Sequence, residues 1–306
     1  MNIDLSPEAR EFGEQALRAF ESAGGDALLQ RAEADPSQRE SLVAPVLAGL
    51  GAWDLEPRTD ADAAEAAAAL CRSAGYWGLP YPLAERLSRP TDIDADGLIV
   101  VAGPAPAGTI AGVDGHWATV TLDGHRARVT GTSGARTAFV TALQLAGLDD
   151  AGDQDVALAL VLPCWTLLGM LDRALELTIA HVKLRQQFGQ PLSGFQGVQF
   201  QLTDAEVERS GLEMLARYAL STVTGPDALA DALALRLAAL EAAEVVFRVT
   251  HQLHGAVGFC DETVLSWLSR YSQPLRRLPL GLSATRAQLT ELLGTRGLTG
   301  LYSDAG

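Results

Sequence analysis

Two stretches of this chain carry residues whose types and spacing could do binding chemistry. One is Leu184-Arg185-Gln186-Gln187-Phe188-Gly189-Gln190-Pro191-Leu192, with Phe195-Gln196 behind it; the other, further along, is Gln252-Leu253-His254-Gly255-Ala256-Val257-Gly258-Phe259. The guanidinium of Arg185 can fork onto phosphate oxygens. Gln196 and Gln252 offer amide donors and acceptors for the edges of a sugar or a base. Phe188 offers a flat apolar face for a ring. Gly255 and Gly258 let backbone N–H groups come close to a phosphate that a side chain would hold off. Each stretch alone has an ordinary reading. RQQFG reads as a helix C-terminus, with Gly189 just past the end and Pro191 stopping the chain, and HGAVGF reads as another helix end. Both in this order and at this separation are a stronger signal than either alone.

The elements that must position these residues follow from local patterns. Residues 1–90 read as a helical domain. Ser6-Pro7-Glu8 is a capping residue followed by Pro at the first helical position. Leu5, Phe12, Leu17 and Phe20 form its apolar stripe, a second helix runs from Ser37 to Leu50, and an Ala-rich third runs from Ala61 to Ala74, ended by Gly75. Leu79-Pro80-Tyr81-Pro82 is a rigid extended turn before a short helix at Leu83–Leu87. Residues 91–162 read as a small β domain of about five strands by pattern counting. Its candidates are Leu98–Ala102, Trp117–Leu122, Arg126–Thr130, Thr137–Leu143 and Val156–Leu162, and Asp123-Gly124 is a hairpin signal. Residues 163–306 return to helix, expected at Leu167–Phe188, Gln196–Val223, Pro226–His251 and Ser283–Leu293, with a tail from Gly294 to Gly306 that lacks periodicity. The fold class expected is mainly α with a small β domain, closing on a four-helix bundle.

Composition narrows the classes of function. A formal net charge of −15 works against binding phosphate backbones or anionic membrane surfaces, so neither nucleic acid nor membrane is an expected partner. No apolar run without interruption reaches membrane-spanning length, and the acidic N-terminus does not read as a signal peptide. Cys71, Cys164 and Cys260 have neither CxxC nor Cys/His ligand spacing. They are expected to be small apolar packers in a reduced cytoplasmic setting, with no metal site.

The carboxy-terminal motifs resemble those of the acyl-CoA dehydrogenase family. The resemblance rests on Arg185 to Leu192, Phe195 to Gln199, Leu202-Thr203-Asp204 and Gln252 to Phe259, and on the order helices, sheet, helices. It is specific in the carboxy-terminal half and weak before residue 160, and the chain looks shortened, chiefly in the β domain. The resemblance implies FAD, with cofactor-binding positions at Arg185, Gln187, Phe188, Gln196, Gln252, Leu253, His254, Gly255 and Ala256. Ala256 stands where the family's turn has a second Gly. In that family this turn contacts the ADP half of an FAD held by a neighbouring subunit.

The same resemblance exposes two gaps. Desaturating an acyl-CoA needs a positioned base for the α-proton, in the family a Glu beyond the Gly-rich turn. Here Leu275 to Leu282 contains no carboxylate, and Pro279 lies nearest the expected position; the alternative location, Val156 to Pro163, has none either. The flavin-facing Thr-Glu-Pro and Gly-Ser-Asp segments are missing from Val100 to Gly108. No residue is therefore assigned as catalytic. Glu262 reads as a charge before a helix, Asp204 as structural, His254 as cradle packing, and Arg276-Arg277 as a solvated face. The expectation is the non-catalytic subunit of a heteromeric enzyme, α2β2, of the kind that oxidises steroid-CoA thioesters. Its partner would supply the flavin pocket, the base and most of the acyl-CoA site, and the lone chain would be inactive. The alternatives are a self-sufficient enzyme with a displaced base such as Glu241 or Glu244, and a helical scaffold that kept the fold but lost the ligand.

Overall fold

The computed structural model describes residues 3–135 and 137–296; the tail at 297–306 lies outside the described residues. The chain opens with α1 (Pro7–Ala23), α2 (Asp26–Ala34), α3 (Arg39–Gly49), α4 (Ala61–Tyr76) and α5 (Leu83–Leu87). The Ser6 hydroxyl caps α1 by accepting the Ala9 N–H at 3.2 Å, as the sequence indicates. α2 has no clear sequence signal; it begins after Gly24 and Gly25, both at positive φ. Gly75 does not end α4 but lies inside it. A Cβ there would overlap the backbone carbonyl of Thr166, and one at Gly169 would overlap that of Arg72. The glycine pair thus brings two helix backbones together, an approach any side chain would prevent.

A five-stranded sheet follows, in the order β1-β3-β4-β5-β2, from β1 (Gly97–Val100), β2 (Ala107–Gly108), β3 (Trp117–Val120), β4 (His125–Ala135) and β5 (Thr141–Ala151). β1 pairs parallel with β3; the other pairs are antiparallel. Asp123-Gly124 makes the expected β3–β4 turn, with Gly124 at φ +82.

Val156–Leu162 is not a strand. It forms the second and third turns of α6 (Asp153–Leu184). A short unbroken apolar run carries no period that separates a buried strand from a buried helix, and Pro163 lies inside that helix. All seven residues from Val156 to Leu162 are buried because this helix crosses the molecular centre, between α4 and the later bundle. By length and composition alone α6 could span a bilayer, although no uninterrupted apolar run in it reaches that length, but 83% of its apolar window is buried inside the protein, as in any core helix.

The bundle continues with a two-stranded hairpin, β6 (Gln186–Gln187) and β7 (Gln190–Pro191), then α7 (Gln196–Ser221), α8 (Ala228–His254), α9 (Val264–Arg277) and α10 (Leu282–Arg296). α9 follows Glu262, read in the sequence as a charge before a helix, but no range for that helix was legible there. Its apolar stripe (Leu265, Leu268, Leu275) is helical in spacing, but Pro274 and three serines masked it. One hydrophobic core runs from Phe20 on α1 through Trp165 on α6 to Leu265 on α9. Cys71 and Cys164 pack within it as expected, whereas Cys260 is exposed.

Candidate functional site

The helix expected to run through Phe188 stops at Leu184. Arg185 is extended, and its N–H closes the last turn on the His181 carbonyl at 2.8 Å. Gln186–Pro191 is a tight β-hairpin whose two turn residues are Phe188 at φ +52 and Gly189 at φ +80. A type I′ turn needs positive φ at both central positions, which favours Asn-Gly. Phe188 is strained there; it is also 92% exposed. A bulky aromatic held in strain and offered to solvent has a cost that a ligand contact would offset. Its ring meets Phe195 edge-on at 6.2 Å.

α6 and α8 run parallel, with α7 antiparallel between them in sequence, so both motifs arrive at one end of the bundle. The contact that joins them is a stack of His181 on His254, 4.4 Å between ring centres and 20° between planes. His254 Nδ1 lies 2.9 Å from the Thr250 carbonyl, which can only accept, so this nitrogen carries the proton. Burial pushes the His254 pKa down, and the nearby His181 and His251 add to the shift despite the Thr250 bond. The buried imidazole is therefore neutral near pH 7. His181 was overlooked in the sequence; its place one turn before Arg185 is the signal that could have found it.

Seven of the nine proposed cofactor residues are exposed at this end: Arg185, Gln187, Phe188, Gln196, Gln252, Gly255 and Ala256. Arg185 has no carboxylate within ion-pair distance among the described residues, and the carboxamides of Gln187, Gln196 and Gln252 make no hydrogen bond with them. Leu253 and His254 point the other way. Leu253 belongs to the main core, so these two can offer a ligand only backbone. Gly255 has φ +65 and open space where a Cβ would stand. Gly258, expected to admit a phosphate, is instead buried, and a Cβ there would lie 2.9 Å from that of His254. Its smallness serves packing. Phe259 stacks on His251 at 4.3 Å and stays exposed.

The remaining polar residues sort by position. Glu262 is exposed, just ahead of Thr263, the residue before α9. Glu241 pairs with Arg286 at 2.7 Å on the surface, and Glu244 is exposed. Neither faces a cavity around Leu278-Pro279, where the family's base would be sought. The carboxylate that does line a cavity with those two residues is Glu85 on α5. It accepts the Thr109 hydroxyl at 2.8 Å, and burial raises its pKa. Nothing in the local sequence around Glu85 signals this; the tertiary fold alone brings α5 to the end of α9.

Comparison with known proteins agrees with this architecture. Residues 161–279 match the family description "Acyl-CoA dehydrogenase, C-terminal domain". A 3-sulfinopropanoyl-CoA desulfinase of Paraburkholderia xenovorans is 31% identical over 103 residues, 34% of this chain but only 26% of that protein. Among solved structures, the "Tcur3481-Tcur3483 steroid ACAD G363A variant" superposes with a TM-score of 0.76 at 21% identity, covering 96% of this chain and 99% of that one. The ChsE4-ChsE5 complex from Mycobacterium tuberculosis gives 0.73 at 17% identity, covering 98% and 100%. The chain thus has the acyl-CoA dehydrogenase fold and carries the C-terminal domain of that family over residues 161–279.

Proposed function

We propose that this chain is one subunit of a heteromeric, FAD-dependent acyl-CoA dehydrogenase. It grips the ADP half of FAD, while a companion chain houses the isoalloxazine and the carboxylate base. The observation that carries this reading is the one-sided site. Unpaired Arg185 and the unpaired carboxamides of Gln187, Gln196 and Gln252 share one bundle end with the strained Phe188 ring and the open turn at Gly255, yet no carboxylate stands between Leu275 and Leu282. This donor set fits a pyrophosphate with its sugar and base. A guanidinium forks onto phosphate, carboxamides meet ribose and adenine edges, and an aromatic face covers a ring. FAD bound there would supply hydride acceptance; this chain's residues would hold and orient it.

A second feature supports a companion. Phe200, Val207 and Met214 recur every seven residues on α7 and are all exposed, with Tyr218 one turn on. An apolar stripe of this kind on a helix is ordinarily covered by another helix. The pairing proposed is α2β2. The substrate class proposed is a bulky acyl-CoA of the steroid kind, one structural neighbour being a steroid enzyme. Co-expression with a dehydrogenase-like partner carrying an intact base should give a yellow, active complex, while the chain purified alone should oxidise no acyl-CoA. Turnover by the lone chain would sink the reading.

One observation favours a self-sufficient enzyme instead: Glu85 shares a cavity with Leu278 and Pro279. On that reading the displaced base is Glu85, not Glu241 or Glu244. Unchanged turnover in Glu85→Gln would remove it.

A further inference from the structure

Three of the five histidines of this chain meet at the nucleotide end. His181 comes from α6; His251 and His254 come from α8. The other two, His116 and His125, have side chains 79% and 80% exposed, and each stands beside an aspartate. At the bundle end, no carboxylate lies within ion-pair distance of His181, His251 or His254 among the described residues. The elements packed there show why. On α6, Glu176 is tied to Arg173 at 3.0 Å, and the charged residues that follow, Lys183 and Arg185, are cations. α7 carries no ionisable side chain before Asp204, and α9 none before Arg270. In the loop ahead of α9, Asp261 is tied to Arg270 at 2.7 Å and Glu262 is exposed. Glu244 and Arg248 on α8 and Glu291 on α10 are exposed as well.

His254 is buried, and His181 and His251 are half-buried. His254 donates from Nδ1 to the Thr250 carbonyl, and this nitrogen also lies 3.4 Å from the Thr178 hydroxyl. A second proton on this ring would sit on Nε2, which makes no hydrogen bond with the described residues. Burial lowers the pKa of all three imidazoles, and Arg185 lowers that of His181 further. The ring stack can hold one charge but resists two, because like charges repel. What the cluster lacks is an anion. A diphosphate held by Arg185 and the Gly255 turn would stand next to it. The Arg185 N–H closes on the His181 carbonyl at 2.8 Å, and His254 directly precedes Gly255. A negative charge at that range favours the protonated imidazole.

We propose that the His181–His254 stack is a proton-linked part of the nucleotide site: a bound diphosphate supplies the missing counter-charge, and the pair takes up a proton as the ligand binds. The proposal rests on the nucleotide reading of the Arg185 end. It gives His181, which lies outside both binding motifs, a part in affinity. The sign follows from linkage. Affinity is level at high pH, rises as pH falls through the titration of the bound pair, and levels again once the free pair is also protonated. A bound-state pKa higher by ~1 tightens binding tenfold.

The test is calorimetric titration of the purified full chain with ADP-ribose, in buffers of differing ionisation enthalpy. The diphosphate of this probe is esterified at both ends and does not titrate near neutral pH. The heat of binding should depend on the buffer and report net proton uptake, and affinity should rise roughly threefold or more as pH is lowered from about 8 to about 6. His181→Phe keeps an aromatic face on His254 but cannot take a proton. It should flatten the pH profile and remove most of the uptake. If His181→Phe does not fold, an NMR titration of the imidazole signals of the parent chain decides. The midpoints of His181 and His254 should then move to higher pH when ADP-ribose is present, and unchanged midpoints overturn the proposal. An uptake that persists in His181→Phe overturns it too. Binding with a buffer-independent heat overturns it while leaving the nucleotide reading in place; failure of ADP-ribose to bind counts against both.

Discussion

Arg185 and Phe188 make opposite demands on the chain, and that difference can be measured. Arg185 is exposed and unpaired among the described residues, so Arg185→Ala should leave thermal stability within about 0.5 kcal/mol of the parent. In the proposed complex it should lower flavin retention at least tenfold, read from the flavin absorbance of the purified protein. Phe188 occupies a positive-φ turn position that Asn tolerates better. Phe188→Asn should therefore raise stability by about 1 kcal/mol in denaturant melts while weakening flavin binding. A stability gain with no loss of flavin would mean that the strain serves the hairpin alone. Both motifs were legible in the sequence, because residue types show there directly. The hairpin was not. RQQFG followed by Pro satisfies a helix-end pattern equally well, and only the early stop at Leu184 separates the two readings.

At the scale of elements, helix positions are set by charge as well as by the core. Arg72 on α4 bonds both Asp172 on α6 and Glu213 on α7, at 2.7 and 3.0 Å, and Arg209 and Arg217 close on Glu213 from α7 itself. Burial alone would lift the Glu213 carboxyl, but Arg72, with Arg209 and Arg217, holds it down to about 2. A carboxyl depressed in the folded state stabilises the fold above its ordinary value of 4.5, and that contribution fades as pH falls towards 2. Glu213→Gln should accordingly destabilise the protein at pH 7, on the order of 3 kcal/mol. The gap between variant and parent should narrow below pH 4.5 in thermal melts. A second junction is Arg126 on β4, fully buried against Asp155 at the head of α6 and bonded to Asp92 and Asp150. It locks the sheet onto the helix that the sequence had divided into strand and helix. The error at Val156–Leu162 came from the same place: α6 is apolar on all sides there because it is surrounded, so its period disappears.

For the molecule as a whole, the exposed stripe on α7 is the feature that a second chain would cover. Val207→Asp with Met214→Asp should leave the lone chain folded, since both side chains are exposed. The pair should prevent co-purification with the proposed partner, because a carboxylate buried at an interface without a counter-charge costs more than the contact returns. Recovery of an intact complex from the double variant would move the interface elsewhere.

Residue chemistry and local pattern determined by themselves the carboxy-terminal motifs, the helix–sheet–helix order, the α1 cap and the β3–β4 turn, all of which depend on side-chain type or short spacing. Tertiary structure alone decided the rest. It placed His181 on His254, turned Leu253 and Gly258 inward, and set Arg39 and Glu85 from different helices around one cavity. Such encounters join residues far apart in the chain, and which of them meet is settled by the packing of whole helices, a quantity that no local window contains.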